Sequence, residues 1–529
     1  MSRPPLEKHR TRRFRRVGLI VALVMLPWLL YVALGNLFLN AGGVGLLLGS
    51  TREITLKYRY GWTLWPGRVN LRGFHLTFQD ANVQFALDLD HANIRLALTE
   101  LPGRTIHATR LRGDGAAFRM RHRIQPGATH EPWVRALAPI PEFSNPPLFE
   151  ATVPSPPIAE SDYRLWTVHL EDVDVGISEL WVQFIRYRGN ARATGAFRLR
   201  PARQLWVGPA ALDFNDGRIT LGDDEILGAM RGRITCIAHP FDVRVPTGLA
   251  VLRHLSSKIE LHGTGLRVEA LPRWFSTHPE ISLTSAPGTL DVALDVWHGR
   301  GQPGGHVSVS SDWVQAVLPR GTFRGRGFKT TSLVSQDGGA ESEVRIDTGE
   351  FDLKGTAARP LEFHEAALGA HIERADAADP PSGADRRIRV EKVRVPDARW
   401  LNTALHLRGV EFLSGSLDGK VAFREHARRM TGTATLTLHS LRAALGSARA
   451  NVDGHAELQL ADASTSQATG RAQVEAQFSK AVVEAGEDAA DRKGFNASLD
   501  GLGVKAKLER RKPGALEVTL SARAKSARA

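Results

Sequence analysis

Apolar residues fall on every second position along much of this chain. The first long example covers residues 67–98, which read GRVNLRGFHLTFQDANVQFALDLDHANIRLAL. Because successive side chains of a β-strand point to opposite faces, the alternation predicts strands with one apolar and one polar face. The alternation changes phase at Gly73 and near Asp90–His91, which predicts a bulge or a turn at each place. The candidate residues of the apolar face are Leu71, Phe74, Leu76, Phe78, Phe85, Leu87, Leu89, Ile94, Leu96 and Leu98.

The same period continues far beyond this stretch, for example in EITLKYRY, GRITLGDDEI, GTATLTLHSLRA and ALEVTLSARA. Turn residues recur about every ten positions, which is typical of an all-β chain. Helical pattern is scarce and is limited to a short helix over 130–140 and a turn or two within 266–275 and 395–405. The last two segments have a similar residue order 126 positions apart. This similarity favours an internal repeat and tandem β modules stacked end to end.

The composition changes along the chain and predicts several segments. Nine prolines lie within residues 124–158, which favours a linker or a flap over a central strand. A softer break is expected at 375–387. The predicted order is a basic tail (1–16), a transmembrane anchor (17–39), an N-terminal β unit (53–123), the proline-rich linker or flap (124–158), a long β region (159–374), a second β module (388–520) and a basic tail (521–529).

The anchor is predicted from 23 residues without a charge, VGLIVALVMLPWLLYVALGNLFL at 17–39. A helix of this length is long enough to cross a bilayer. The basic residues cluster before it, so the positive-inside rule places the N-terminus in the cytoplasm and the remainder outside. A cleaved signal peptide is the alternative, but the apolar run exceeds the 7–15 residues of a signal core. The anchor candidates are Val17, Leu23, Trp28, Leu30 and Leu39.

The net charge of +13 does not indicate a nucleic-acid-binding body. Residues 1–16 and 501–529 each carry +6, which leaves +1 for the 484 residues between them. A phosphate-binding domain carries its basic residues on one face of its body. The Arg-rich run at 110–123 alternates with apolar residues, as the solvated face of a strand does. The single cysteine, Cys236, excludes an internal disulfide and a cysteine zinc site.

No local motif for catalysis is present. His364-Glu365 is not followed by a second His at the metalloprotease spacing, and Gly419-Lys420 leads into Val421 rather than a phosphate-loop Ser or Thr. The acidic triplet Asp223-Asp224-Glu225 is interpreted as a solvated hairpin turn. We therefore expect no catalytic, cofactor-binding or metal-binding residues and no enzyme. An exported hydrolase, whose acid and base meet only on folding, is the third reading.

The apolar face needs a cover, and the residues alone leave two readings open. A facing sheet would make closed β-sandwich modules. An uncovered face would instead be a binding surface for an apolar ligand.

The order of segments resembles the start of the AsmA-like family of bacterial envelope proteins. The basic tail and single anchor lead into VNLRGFHLTF, where Val69, Leu71, Phe74 and Leu76 fit the first strand of the family pattern. A second run follows that pattern with Leu87, Leu89, Ile94, Leu96, Leu98, Leu101, Ile106 and Leu111. Residues 412–423 (FLSGSLDGKVAF) are more loosely similar to its C-terminal part. The chain departs from the pattern after Phe118, where an Arg-rich strand and the proline-rich segment follow.

The resemblance implies a mainly β fold, in which an N-terminal transmembrane helix precedes an elongated, curved antiparallel β-sheet groove of stacked β modules with few short helices. It implies an inner-membrane, single-pass protein whose bulk is periplasmic. Its groove would carry phospholipid acyl chains for outer-membrane biogenesis, with no cofactor and no reaction. The partners would be phospholipid and an outer-membrane or envelope protein, with no nucleic acid. The alternative is a non-catalytic envelope scaffold or outer-membrane assembly factor built from closed β-sandwich modules.

Overall fold

A computed structural model describes most of the chain, in sixteen stretches. These are residues 7–43, 54–79, 83–129, 131–149, 166–200, 204–242, 253–269, 274, 280–336, 338–372, 384–405, 409–426, 429–464, 470–485, 495–512 and 515–528. The chain divides into two compact units, Met1–Ile259 and Glu260–Ala529. Both are mainly β, as the alternation predicts.

The first unit begins with a long helix and continues with strands. Helix α1 covers Glu7–Asn40. The strands are β1 (Ile54–Lys57), β2 (Tyr60–Trp65), β3 (Arg68–Gln79), β4 (Val83–Leu96), β5 (Thr105–His122), β6 (Thr167–Val182), β7 (Ile185–Arg200), β8 (Gln204–Leu221), β9 (Asp224–Leu227) and β10 (Ala229–Asp242). Strand β11 (Leu255–Leu266) crosses the division between the units.

The second unit consists of strands and one short helix. The strands are β12 (Ser282–Ser285), β13 (Gly288–Trp297), β14 (Arg300–Gly301), β15 (His306–Leu318), β16 (Gly321–Val334), β17 (Ala340–Leu353), β18 (Leu361–Ile372), β19 (Ala384–Val395), β20 (Val410–His426), β21 (Arg429–Leu445), β22 (Ala448–Ser464), β23 (Gly470–Ala485), β24 (Phe495–Lys512), β25 (Ala515–Arg523) and β26 (Ser526–Arg528). Helix α2 covers Trp400–Leu405.

Most strands pair with the next strand along the chain in an antiparallel hairpin, as expected. Strands β5 and β6 are the exception among the described pairs, since they run parallel with Thr105 opposite Thr167. A parallel pair needs a long return connection. Residues 123–166, which contain the proline-rich segment, make that connection. The antiparallel prediction is therefore wrong at this one junction, because the chain crosses back before β6 begins.

Gly73 has a positive φ where the alternation changes phase, but the pairing of β3 with β4 keeps its register there and shows no bulge. Its φ is +59°, and the pairing of β3 with β4 passes from Arg72–His91 to Phe74–Leu89. On β5 the kink continues at Gly115, with φ +71°, where a Cβ atom would lie 2.1 Å from Oδ2 of Asp90. Only glycine adopts such a conformation without strain. Leu71, Phe74 and Leu89 pack in one cluster, so the apolar runs on the two sides of Gly73 keep to one face.

The proline-rich segment folds back as a flap, defined here as residues 124–149 without residue 130. The short helix expected over 130–140 is a single 3₁₀ turn at Pro132–Ala136. Ile124, Val134 and Leu137 form its small buried cluster. The rest of the predicted segment, 150–158, lies outside the described residues.

Arg121 of β5 attaches the flap to the polar face of the sheet. Its side chain is fully buried, and its guanidinium donates to Oε1 of Gln84 and to the flap atoms O of Ala138, O of Ser144 and Oδ1 of Asn145. Burial lowers the pKa of Arg121 to about 10, so the side chain stays charged at neutral pH. The flap thus covers polar strand positions and leaves the apolar face free.

Other expectations have mixed outcomes. The hairpin at Asp223–Glu225 is confirmed, because Leu221 pairs with Asp224 around a two-residue turn. At the expected break (375–387), residues 373–383 lie outside the described part. Ile372 pairs with Ala384, so the segment joins two paired strands, and the module boundary stays a prediction. The internal repeat stays a prediction, since most of 270–279 is not described.

Helix α1 contains the predicted anchor at 17–39. Within the described side chains, which in α1 are those of Leu23 and residues 25–40, no helix is long and apolar enough to cross a membrane.

Replacing Arg121 with Met tests the flap attachment. The variant keeps the aliphatic volume but leaves the oxygens of Gln84, Ala138 and Ser144 without their donor, so we expect a loss of about 2–4 kcal/mol in the free energy of unfolding. Denaturant unfolding and limited proteolysis within the flap measure the change. Arg110→Met is the matched control on the same strand, since its exposed ion pair with Asp172 contributes at most about 1 kcal/mol. Equal losses for the two variants would contradict this account.

Candidate functional site

In the first unit, the strand register lines up apolar residues in a row that runs across the sheet. Directly paired residues of neighbouring strands project on the same face. The row crosses eight strands, and the hydroxyl of Tyr187 is the only polar side-chain group among its members. Its members, called the Leu76 row, are Leu56, Leu76, Leu87, Phe118, Leu180, Tyr187, Ile219 and Leu227.

Nine of the ten candidate residues lie in β3 or β4. Eight of them, all except Leu96, belong to the face of the Leu76 row by their pairing or their shared cluster. The pairs Phe78–Phe85, Leu76–Leu87 and Phe74–Leu89 are directly opposite one another. The remaining candidate, Leu98, is not in a strand. It begins a 3₁₀ turn at Leu98–Gly103, where the chain reverses toward β5, and its side chain is exposed.

Neighbours on the same face stabilise these side chains. The rings of Phe78 and Phe85 stack with centroids 5.0 Å apart, and Phe118 lies 6.0 Å from Phe85. Such ring pairs contribute about 0.5–1.5 kcal/mol beyond their buried area. Leu71 and Leu89 are buried in a cluster whose other members also come from the strands and from Tyr58. Leu71 and Leu89 are therefore buried by neighbouring side chains of the same sheet and not by a facing layer.

The second unit carries two further rows. The central row crosses nine strands and is about 38 Å long at 4.8 Å per strand. Its members are Ile346, Ala366, Val390, Val421, Ala434, Leu458, Val474, Ala506 and Leu520. The outer row lies beside it and contains Val344, Leu368, Ile388, Phe423, Gly432, Leu460, Ala472 and Leu508.

Several side chains of these rows are exposed to solvent, whereas Ala434 in the central row is buried. Leu368, Ile388 and Leu520 are 48%, 41% and 64% exposed. In a β-sandwich the residues of the inner faces interdigitate and are buried. Among the described residues of each unit, the strands form one layer with no second sheet facing the rows. The fold is thus an open sheet in each unit rather than a closed sandwich.

Helix α2 covers one margin of this face. Ala398 and Trp400 pack against Leu417 and Leu438, which are buried there. Asn402 fixes the helix to β20, because its amide donates to O of Phe412 and accepts from N of Phe412, both at 2.8 Å. The central and outer rows remain open beside this margin.

The N-terminal end of the helix α2 segment is held by an ion pair. Asp397 accepts from the backbone N of Arg399 at 3.0 Å and from its guanidinium at 2.6 Å. The guanidinium hydrogen bond holds the pKa of Asp397 below its ordinary value. A carboxylate at this position also interacts favourably with the first turn of a helix.

The polar face of the first unit carries paired charges. Arg112 contacts Asp172 at 2.8 Å, and Arg192 contacts Asp174 at 2.6 Å. Hydrogen bonds from these guanidiniums hold the pKa values of both Asp residues below their ordinary range. The alternating run at 110–123 is therefore the polar face of a strand, as its pattern indicates.

The structure also brings together residues that the sequence analysis does not group. His107 and His169 lie directly opposite each other in the parallel pair of β5 and β6, with Glu171 beside them. A hydrogen bond to Glu100 raises the pKa of His107, while burial lowers the pKa of His169. The two imidazoles are 62 positions apart, so no local spacing could reveal them.

Aspartate substitutions test whether the rows are open. Leu368→Asp, in the outer row, keeps its charge hydrated, so we expect a change below about 1 kcal/mol in the free energy of unfolding. Leu438→Asp places a charge at a position that is 8% exposed beneath α2, which costs about 3–5 kcal/mol. Denaturant unfolding of both variants measures this difference. A loss at Leu368 as large as the one at Leu438 would mean that the row is covered.

No protein-family model matches this chain, and neither a curated protein nor a solved structure matches it. The geometry of the chain itself is therefore the basis for a functional assignment.

Proposed function

We propose that this protein binds phospholipid acyl chains along the apolar rows and transfers lipid in the cell envelope, as an AsmA-like protein serving outer-membrane biogenesis. The observation that carries this proposal is the continuity of the rows across eight or nine hydrogen-bonded strands on an open face. Large exposed apolar surfaces on proteins are usually binding sites.

The dimensions of the central row suit an acyl chain. Half of a bilayer core is about 15 Å thick, whereas the row is about 38 Å long. Each CH₂ group removed from water contributes about 0.8 kcal/mol, so a chain lying on the row is held firmly. The side chains of the central row range from Ala to Leu and have no polar atoms, so no position holds a chain by a specific polar contact. A lipid is then able to move along the row in small steps.

Helix α1 supplies the proposed anchor. Leu26, Leu30, Leu34 and Leu37 are all more than half exposed, so the described part of the helix presents apolar side chains outward. Such a surface is stable in the hydrocarbon of a bilayer. With the basic tail before it, we infer an inner-membrane, single-pass protein whose N-terminus is cytoplasmic and whose bulk is periplasmic.

Two asparagines join α1 to the edge strand β2. Asn36 donates to O of Thr63 and accepts from its N, both at 2.9 Å. Asn40 makes the same pair of bonds with Gly61, at 2.7 and 3.1 Å. Each amide side chain thus replaces a neighbouring strand. The first strands of the sheet therefore begin beside the proposed anchor, where membrane lipid would enter.

Photo-crosslinking tests the lipid assignment. A benzophenone amino acid at Ile388 or Leu458 projects from a row, whereas one at the adjacent Arg389 or Gln459 projects from the polar face. In the full chain expressed in a Gram-negative bacterium, we expect crosslinked phospholipid at 388 and 458 and at least tenfold less at 389 and 459. Mass spectrometry of the purified adducts measures this ratio. Equal labelling of both faces, or no lipid at any site, would contradict lipid binding and favour the scaffold alternative.

Alkaline extraction of membranes tests the anchor. The unchanged chain should stay in the membrane pellet at high pH. The double variant Leu30→Arg, Leu34→Arg should be released, because each charge within a membrane helix costs about 2.5–3.5 kcal/mol. Leu98→Arg, which changes an exposed leucine of the first unit, is the control and should remain in the pellet. Release of the unchanged chain would show that α1 is not a membrane anchor.

A further inference from the structure

A cluster of metal-ligand side chains lies on the polar face where β5 and β6 pair. His107 and His169 are register partners, and their rings stack with centroids 4.4 Å apart at an angle of 15°. Glu171 follows two residues after His169, so it projects on the same face. The ligand atoms of the three side chains all lie within 4.8 Å of one another.

The orientation of His107 is fixed by a fourth side chain. Its Nδ1 contacts Oε1 of Glu100, which lies in the Leu98–Gly103 turn, at 2.7 Å. Its Nε2 atom is buried and lies 3.0 Å from Oε1 of Glu171. Histidines that bind metals commonly donate one ring nitrogen to a carboxylate, which directs the other nitrogen at the ion. His107 has this arrangement.

We propose that His107, His169 and Glu171 bind a zinc ion, with Glu100 as the positioning residue. Two imidazole nitrogens and one carboxylate oxygen are a ligand set that zinc prefers, and a water molecule completes the tetrahedron. Ligand atoms around tetrahedral zinc are about 3.4 Å apart. Nε2 of His107 and Oε1 of Glu171, at 3.0 Å, are already close to this spacing, and the other ligand atoms lie within 4.8 Å, so small side-chain movements complete the site. Glu171 is exposed, which gives the ion a path from solvent.

The location indicates a structural role. Strands β5 and β6 are not joined by a tight turn, because 44 residues separate His122 from Thr167. Zinc at His107 and His169 connects the beginnings of these two strands and the Leu98–Gly103 turn. Metal binding contributes directly to folding energy when the site forms only in the folded state. The ion lies on the face opposite the Leu76 row, so this inference is independent of the lipid proposal.

Zinc titration of the full chain tests the site. The chain is purified in detergent and treated with a chelator before the titration. We expect one equivalent of zinc by calorimetry, and visible absorption bands of tetrahedral Co²⁺ when cobalt replaces it. Glu171→Gln and His169→Gln should raise the dissociation constant at least tenfold, and Glu100→Gln should raise it about 10–100-fold. Zinc should also raise the melting temperature of the unchanged chain.

His75→Gln is the matched control. His75 lies on β3 between the carboxylates of Asp88 and Glu142, at 2.5 and 2.8 Å, so it offers a histidine among acids on the same face. This variant should bind zinc as the unchanged chain does. The proposal would be overturned if the unchanged chain bound no zinc. It would also be overturned if Glu171→Gln and His169→Gln bound zinc as tightly as the unchanged chain. Glu171 is exposed, so Glu171→Gln tests the site with less disturbance of folding than a substitution at the more buried His107.

Discussion

The register of the hydrogen bonds between neighbouring strands is the constraint on which both faces depend. Side chains alternate along a strand, so a slip of one position exchanges the two faces. Leu458, for example, lies between Ala434 and Val474. A slip would put Glu457 or Gln459 into the central row and interrupt it. Glycines with positive φ, such as Gly73 and Gly115, lie where the alternation changes phase.

The two faces of the sheet have different chemistry because different contacts stabilise them. The apolar face is held by lateral packing, and cross-strand pairs of this kind contribute about 0.2–1 kcal/mol each. The polar face of the first unit carries ion pairs, the flap and the histidine cluster. Arg121 is central to this division, since it attaches the flap to the polar side. The flap consequently does not cover the apolar side.

The helices act at the margins of the sheet. Asn36 and Asn40 of α1 pair with the backbone of β2, and Asn402 of α2 pairs with the backbone of β20. In each case an amide side chain satisfies both a donor and an acceptor of a peptide group. Edge backbone groups left unpaired invite pairing with other chains. These amide pairs therefore protect an edge and fix a helix in both units. For α1, this is the place where lipid entry is proposed.

The sequence by itself determined the strands, their apolar face and the kink at Gly73, because alternation and glycine conformation are local properties. Nine of the ten candidate residues lie in the strands β3 and β4 that the alternation predicts. Only the tertiary structure decided that the face is open, that the flap lies on the polar side, and that His107 meets His169. These features depend on partners distant in the sequence, above all on the parallel pairing of β5 with β6, which no local pattern encodes.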